Sequence, residues 1–163
     1  MFIEDFFNRT LLKWDTTLID LEVNSGSEPF NDKYYTVHKT NRVDFFKEIQ
    51  RLVEIGVSTP IQKSQYGKPL FIIPKNKYTM RFITHYQKLN HKFDRNIYPL
   101  PIIAKTMQKL ERLQYSIVLD LNMGYYTIDI LTKRFDLTTI IIEFGKIRYN
   151  RVSMGLCTSG DIF

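Results

Sequence analysis

Residues 116–126 read Ser116-Ile117-Val118-Leu119-Asp120-Leu121-Asn122-Met123-Gly124-Tyr125-Tyr126. A short apolar run ends in a carboxylate, a turn follows through Asn122 and Gly124, and two rings come next. The run predicts a buried strand over Tyr115 to Leu119. A carboxylate at the end of a buried strand costs desolvation free energy unless it has a partner. Magnesium is one such partner, because it takes one or two carboxylates together with substrate phosphates. From this stretch alone, a cap on the following turn is the favoured account of Asp120. Gly124 sets a small residue beside Tyr125 and Tyr126. A ring there can abut a sugar or base, or both rings can pack in a core.

Moving downstream, Tyr126, Ile128 and Ile130 alternate with polar neighbours and predict a half-buried strand over 126–131. Thr138 to Phe144 and Ile147 to Val152 predict a β-hairpin bending at Gly145-Lys146. Ser153 to Phe163 then turns toward a helix. Moving upstream, Tyr98-Pro99-Leu100-Pro101 punctuates the chain and starts a helix with Ile103, Met107, Leu110 and Leu113 as its inner face. Leu70 to Ile73 and Met80 to Thr84 are strands, joined by a turn at 75–78 and preceded by a loop over 64–69. Lys75, Lys77 and Arg81 cluster on that hairpin. Such cations can grip a triphosphate, or they can be solvated guards of a sheet edge. Val43 to Ile55 is an amphipathic helix, capped by Thr40 or Asn41 and stopped at Gly56. Residues 1–40 form a lead-in segment to a body over 41–163. The mixed order of elements is that of an α+β fold.

Composition narrows the function classes. The 163 residues are 44% hydrophobic and 25% charged, a globular balance, and carry a net charge of +6. Such a charge suits a polyanionic partner. A single cysteine, Cys157, rules out an intrachain disulfide and a cysteine-built zinc site. His38, His85 and His91 lack metalloprotease spacing. No phosphate-loop, dinucleotide-binding or Ser-His-Asp motif stands out. Glu4 and Asp5 occupy the place where a secretory signal carries positive charge. No apolar run reaches membrane-spanning length. The expected setting is intracellular, cytoplasmic or nuclear, with no membrane partner.

Six pieces in order carry a resemblance: Val53-Glu54-Ile55-Gly56-Val57, Pro69 to Lys75, Met80-Arg81-Phe82-Ile83 with Leu89-Asn90, Tyr98 to Pro101, Leu119 to Tyr126, and Met154-Gly155-Leu156 with Ser159 and Asp161-Ile162-Phe163. Over residues 10–163 the chain resembles the reverse transcriptase of gypsy-type LTR retrotransposons. The resemblance implies the fingers and first part of the palm of a right-hand polymerase. It implies template-directed addition of deoxynucleotides to a primer with two magnesium ions. Asp120 matches the first catalytic, metal-binding aspartate, and the carbonyl of Leu121 would lie near the metal. Arg81 and Lys75 match cations that hold the incoming triphosphate. Gly124 and Tyr125 match the turn and the ring that abut the deoxyribose. Met154 and Gly155 match the strip beside nucleotide and template. The implied partners are an RNA or DNA template–primer, deoxynucleoside triphosphates and the remainder of a polymerase polyprotein.

Several positions depart from the family pattern. The aromatic-x-Asp-Asp motif is missing, and the sequence has no Asp-Asp dipeptide. Asp129, Asp136 and Asp161 are poor substitutes. His85-Tyr86-Gln87 replaces Asp-Phe/Tyr-Arg, Lys77-Tyr78 replaces an Asp-Gly turn, Val152-Ser153 replaces Leu-Pro, and Gly160 replaces a proline. The chain alone is therefore expected not to polymerise. The alternative function is that of a non-catalytic nucleic-acid-binding remnant of a decayed element. An inert remnant is a further possibility.

Overall fold

In the computed structural model, the described residues are 11, 18–24, 28–74, 80–93, 99, 101–110, 113–115, 117, 121 and 123–162. Helix α1 (Arg42–Glu54) is followed by β1 (Ser58–Ile61), β2 (Lys68–Pro74), β3 (Met80–Thr84), α2 (Gln87–Asn90) and α3 (Ile103–Leu110). After a 3-10 turn at Gly124–Thr127 and another at Thr132–Thr138 come β4 (Thr139–Ile142), β5 (Gly145–Tyr149) and α4 (Ser159–Ile162). The five strands form one sheet in the order β1-β5-β4-β2-β3. All neighbours are antiparallel except β2 and β4, which pair in parallel through Lys68–Ile140 and Pro69–Ile141.

Helix α1 forms because Phe45, Ile49 and Leu52 repeat at helical spacing, and all three are buried against the sheet. Its end is a Schellman motif. Gly56 sits at φ +72, its N–H donates to Val53 O, and the Val57 N–H donates to Leu52 O. The partners across the interface are Leu70, Phe82, Ile140, Ile142, Ile147 and Tyr149. A second cluster lies beside this core: Leu21, Tyr86, Leu89, Phe93, Ile128, Ile130, Leu137, Val152 and Leu156. The lead-in is bound to both, through bridges Ile19–Ile130, Val23–Phe93 and Asn31–Gly67 and through the buried Leu21 and Val37.

Some expectations change here. The strand β1 was not foreseen, because Pro60 interrupts its sequence. Proline is tolerated there because β1 lies at the sheet edge. Lys68 and Pro69, expected in a loop, begin β2, and their ladder to β4 explains why. The hairpin bends at Glu143-Phe144, two residues earlier than expected, with Ile142 paired to Gly145. Residues 126–131 are not a continuous strand. Gly124–Thr127 is a 3-10 turn, and only isolated bridges at Asp129 and Ile130 follow. Ile128 and Ile130 are nevertheless buried, so the alternation was real although the ladder is short.

The largest correction concerns 103–117. Helix α3 forms, but Ile103, Met107, Leu110 and Leu113 are exposed and make no inner face among the described residues. Tyr115 and Ile117 are exposed and unassigned to any strand, since no described strand pairs with them. The rest of the expected strand, residues 116, 118 and 119, lies outside the described residues, as do Asp120 at its end and the 75–78 turn.

Candidate nucleotide and template site

The turn after the candidate aspartate is built on an unusual backbone. Met123 is the one non-glycine residue with positive φ among the described residues, at φ 57 and ψ 34. This left-handed step costs a side-chain-bearing residue roughly 1 kcal/mol. Local bonds hold it: the Tyr126 N–H donates to Met123 O at 2.8 Å, and the Thr127 hydroxyl donates to Gly124 O at 2.6 Å. The Met123 thioether also lies 3.7 Å from the Arg51 guanidinium. Leu121 is exposed just before the turn, and Gly124 is partly covered within it.

The two tyrosines divide between the cores. Tyr126 stacks on Tyr149, with ring centroids 5.8 Å apart, and joins the α1 core. Burial raises its phenol pKa, which suits a packing role. Tyr125 packs against the second cluster, and is half-buried. Of the two rings, Tyr125 is the one not absorbed by the α1 core.

The Met154-Gly155 strip lies against the end of β3. Gly155 has φ +100, and a Cβ there would meet the Thr84 carbonyl at 3.0 Å. Asn90 fastens the strip: its Nδ2 donates to Gly155 O and its Oδ1 accepts from the Cys157 N–H, both at 2.9 Å. Tyr86 and Ser153 hydroxyls are hydrogen-bonded at 2.8 Å, and Ser159 Oγ donates to Ser153 O at 2.9 Å. Burial raises the Tyr86 phenol pKa as well. Met154 remains partly exposed beside this buried network. Arg81 is exposed on the same strand β3, three residues before Thr84 and so roughly 10 Å along it. Strand β3 thus links Arg81 to the strip, and Tyr125 and the strip's Leu156 share one cluster.

Asp120 and Lys75 lie outside the described residues, so their side chains are not placed relative to this group. Among the described residues no cluster of three His, Cys, Asp or Glu could hold a metal. Asp129 is paired with Arg151 at 3.4 Å, and Asp136 lies in an open polar depression with Gln62 and Lys146. A carboxylate and a backbone carbonyl, which the sequence offers in Asp120 and Leu121, are oxygen donors of the hard type that magnesium prefers. The residue pattern therefore fits the ion in donor chemistry.

Two features escaped the sequence reading. Asn90 was visible only as part of a Leu-Asn pair, and nothing local signals its grip on 155–157. Lys68 looked like any surface lysine, yet it is fully buried. Its Nζ donates to Leu137 O at 2.5 Å and lies 4.5 Å from the Tyr66 ring centroid. Burial lowers its pKa to about 7.

No family model matches the chain. It is 28% identical over 142 residues to the retrovirus-related Pol polyprotein from transposon 412 of Drosophila melanogaster, covering 83% of this chain and 11% of that protein. With the corresponding polyprotein from transposon 297 of the same fly it shares 26% over 152 residues, 89% of this chain and 14% of the relative. The chain thus spans less than a sixth of the length of these relatives. Prototype foamy virus protease-reverse transcriptase superposes with a TM-score of 0.79 at 20% identity, over 98% of this chain and 22% of that one. The foamy viral protease-reverse transcriptase in complex with dsDNA gives 0.75 at 17% identity, over 95% and 30%. The relatives are the gypsy-type Pol polyproteins that the motif order led us to expect. The fold is α+β and corresponds to part of a reverse transcriptase.

Proposed function

We propose that this chain is the fingers and first part of the palm of an RNA-directed DNA polymerase of a retrotransposon polyprotein. The reading rests on one observation above all. Motifs that match the family in order fall in a fold that superposes on reverse transcriptases over nearly its whole length. In this reading Arg81 and Lys75 hold the triphosphate, since Arg offers two parallel hydrogen bonds and Lys a mobile charge. Tyr125 abuts the deoxyribose, and Gly124 leaves it room. Met154 and Gly155 line the nucleotide and template, where the bare glycine backbone permits close approach. Asp120 and the Leu121 carbonyl would hold magnesium, which neutralises phosphate charge during phosphoryl transfer. One carboxylate does not organise two metal ions, so the chain alone extends no primer.

The test is titration of the chain with a deoxynucleoside triphosphate and magnesium. Asp120→Asn and Arg81→Ala should each weaken binding by about tenfold or more, the loss expected for charged hydrogen bonds. Wild-type binding unaffected by either change would sink the assignment. A second reading is a non-catalytic protein that binds nucleic acid through its basic fingers, and it is favoured by the stretch from Ile55 to Phe93, which has seven basic residues and no acidic one. Salt-sensitive nucleic-acid binding with no triphosphate binding would select it.

A further inference from the structure

The turn at 123–126 is fastened at its two ends by different parts of the molecule. At its far end, Tyr126 stacks on Tyr149, and its carbonyl accepts from Arg151 Nη1 at 2.9 Å. At its start, Met123 packs at the edge of the α1 core. There it meets Arg51, which lies 72 positions earlier in the chain, near the end of α1. Arg51 Nη1 and Nη2 each donate to Met123 Sδ at 3.7 Å. The guanidinium is itself held in place. Its Nε donates to Glu48 Oε2 at 2.8 Å, and its Nη2 donates to Glu48 Oε1 at 2.6 Å. Spacing of three residues puts Glu48 and Arg51 on one helix face. Two hydrogen bonds to one carboxylate then fix the plane of the fork.

The side chains of Arg51 and Glu48 are 44% and 29% exposed. An ion pair so open to water adds little to the stability of the whole chain. Its effect is local, at Met123. That residue occupies the left-handed region, which a residue with a side chain leaves readily. The hydrogen bonds inside the turn close it but do not tie it to α1. The sulfur contact does. A right-handed backbone at Met123 would redirect the Cα–Cβ bond and withdraw the thioether from the fork, so the contact favours the left-handed step. That step sets the direction of the chain into Gly124 and Tyr125. Met123 and Tyr126 pack on the α1 core, whereas Tyr125, between them, packs on the second cluster. The placement of the Tyr125 ring therefore depends on both anchored neighbours.

We infer that Arg51, braced by Glu48, is a positioning residue that holds the left-handed step at Met123 and so fixes the Tyr125 ring. What the ring faces, the sugar of a bound triphosphate, rests on the polymerase reading above. The test uses the full chain with magnesium, and measures binding of a deoxynucleoside triphosphate and of the matching ribonucleoside triphosphate. Arg51→Ala should lower the preference for the deoxy sugar about fivefold, the factor by which a residue with a side chain disfavours the left-handed region. A melting curve confirms that the variant is folded. Arg51→Lys keeps the charge but not the fork, and should lose the preference as well. In a Met123→Gly background, Arg51→Ala should change the preference by less than about twofold, because glycine offers no thioether and enters the left-handed region freely. An unchanged preference in folded Arg51→Ala would overturn the inference. So would an equal loss toward both sugars, or the same loss in the Met123→Gly background. A wild-type chain that binds no triphosphate, or binds both sugars equally, would defeat the polymerase reading of Tyr125. The Tyr126 amide, which donates to Met123 O, then decides the inference by itself. Faster hydrogen exchange of that amide in Arg51→Ala, without acceleration in the Met123→Gly background, would uphold Arg51 as the brace of the turn. Unchanged exchange, or the same acceleration in both backgrounds, would overturn it.

Discussion

Helices α1 and α3 are both amphipathic, and they meet opposite fates. On α1, Phe45, Ile49 and Leu52 are 2%, 6% and 1% exposed. On α3, Ile103, Met107 and Leu110 repeat with the same kind of spacing and are 79%, 58% and 43% exposed. Periodicity states that a helix has a face to bury. It does not state that a partner is within reach. Helix α1 has one because it leads through Gly56 straight into β1, which returns it to the sheet. Among the described residues, nothing plays that part for α3. After it in the chain Leu113, Tyr115, Ile117 and Leu121 are exposed as well.

The contrast can be broken by mutation. Leu52→Ala in α1 should destabilise the chain by about 2–5 kcal/mol, the range for a buried leucine that leaves a cavity. Leu110→Ala in α3 should change stability by less than about 0.5 kcal/mol. Chemical denaturation of both variants decides the matter, and equal losses would mean that α3 is covered in solution.

Lys68 is the mirror image of α3, a charge-bearing residue inside where α3 is an apolar face outside. Its folded pKa of about 7 lies below the ordinary 10.5, so between these values the unfolded chain holds a proton that the folded chain lacks. Stability should therefore rise as pH climbs from about 7 toward 10.5, with no further loss from this group below that window. Lys68→Met should flatten the slope and be the more stable protein at neutral pH, by up to a few kcal/mol, about what desolvating a buried amine costs. Thermal melts across this pH range test it. A wild-type slope that survives in Lys68→Met would assign the effect elsewhere.

A smaller effect belongs to the end of α1. Gly56→Ala meets open space, so only the left-handed backbone opposes it. The expected loss is about 1 kcal/mol, read from the shift in the denaturation midpoint. No loss would show that the turn into β1 can adopt another backbone.

Much of this was legible beforehand. The α1 stripe, the Gly56 stop, the Met80–Thr84 strand and the β4–β5 pair are local patterns, and local patterns survive folding when tertiary contacts agree with them. The candidate site was legible in another way, as motifs in family order; in the fold Tyr125 and Leu156 pack at the second core, and Gly155 lies against the Thr84 carbonyl at the end of the strand that carries Arg81. What stayed hidden depends on residues far apart in sequence. Asn90 acts on 155–157, Lys68 on Leu137, and Arg51 on Met123, and none of these pairs has a local signature.

The amino-acid sequence by itself determined which segments want to be helix or strand, where the turns fall, and that positive charge concentrates in the β2–β3 region. Those properties follow from backbone preference and side-chain chemistry over a few neighbouring residues. Only the tertiary structure decided which apolar faces are covered, which lysine is desolvated and which rings stand exposed. Burial is a property of what packs against a residue, and the partner is supplied by chain that is distant in sequence and close only after folding.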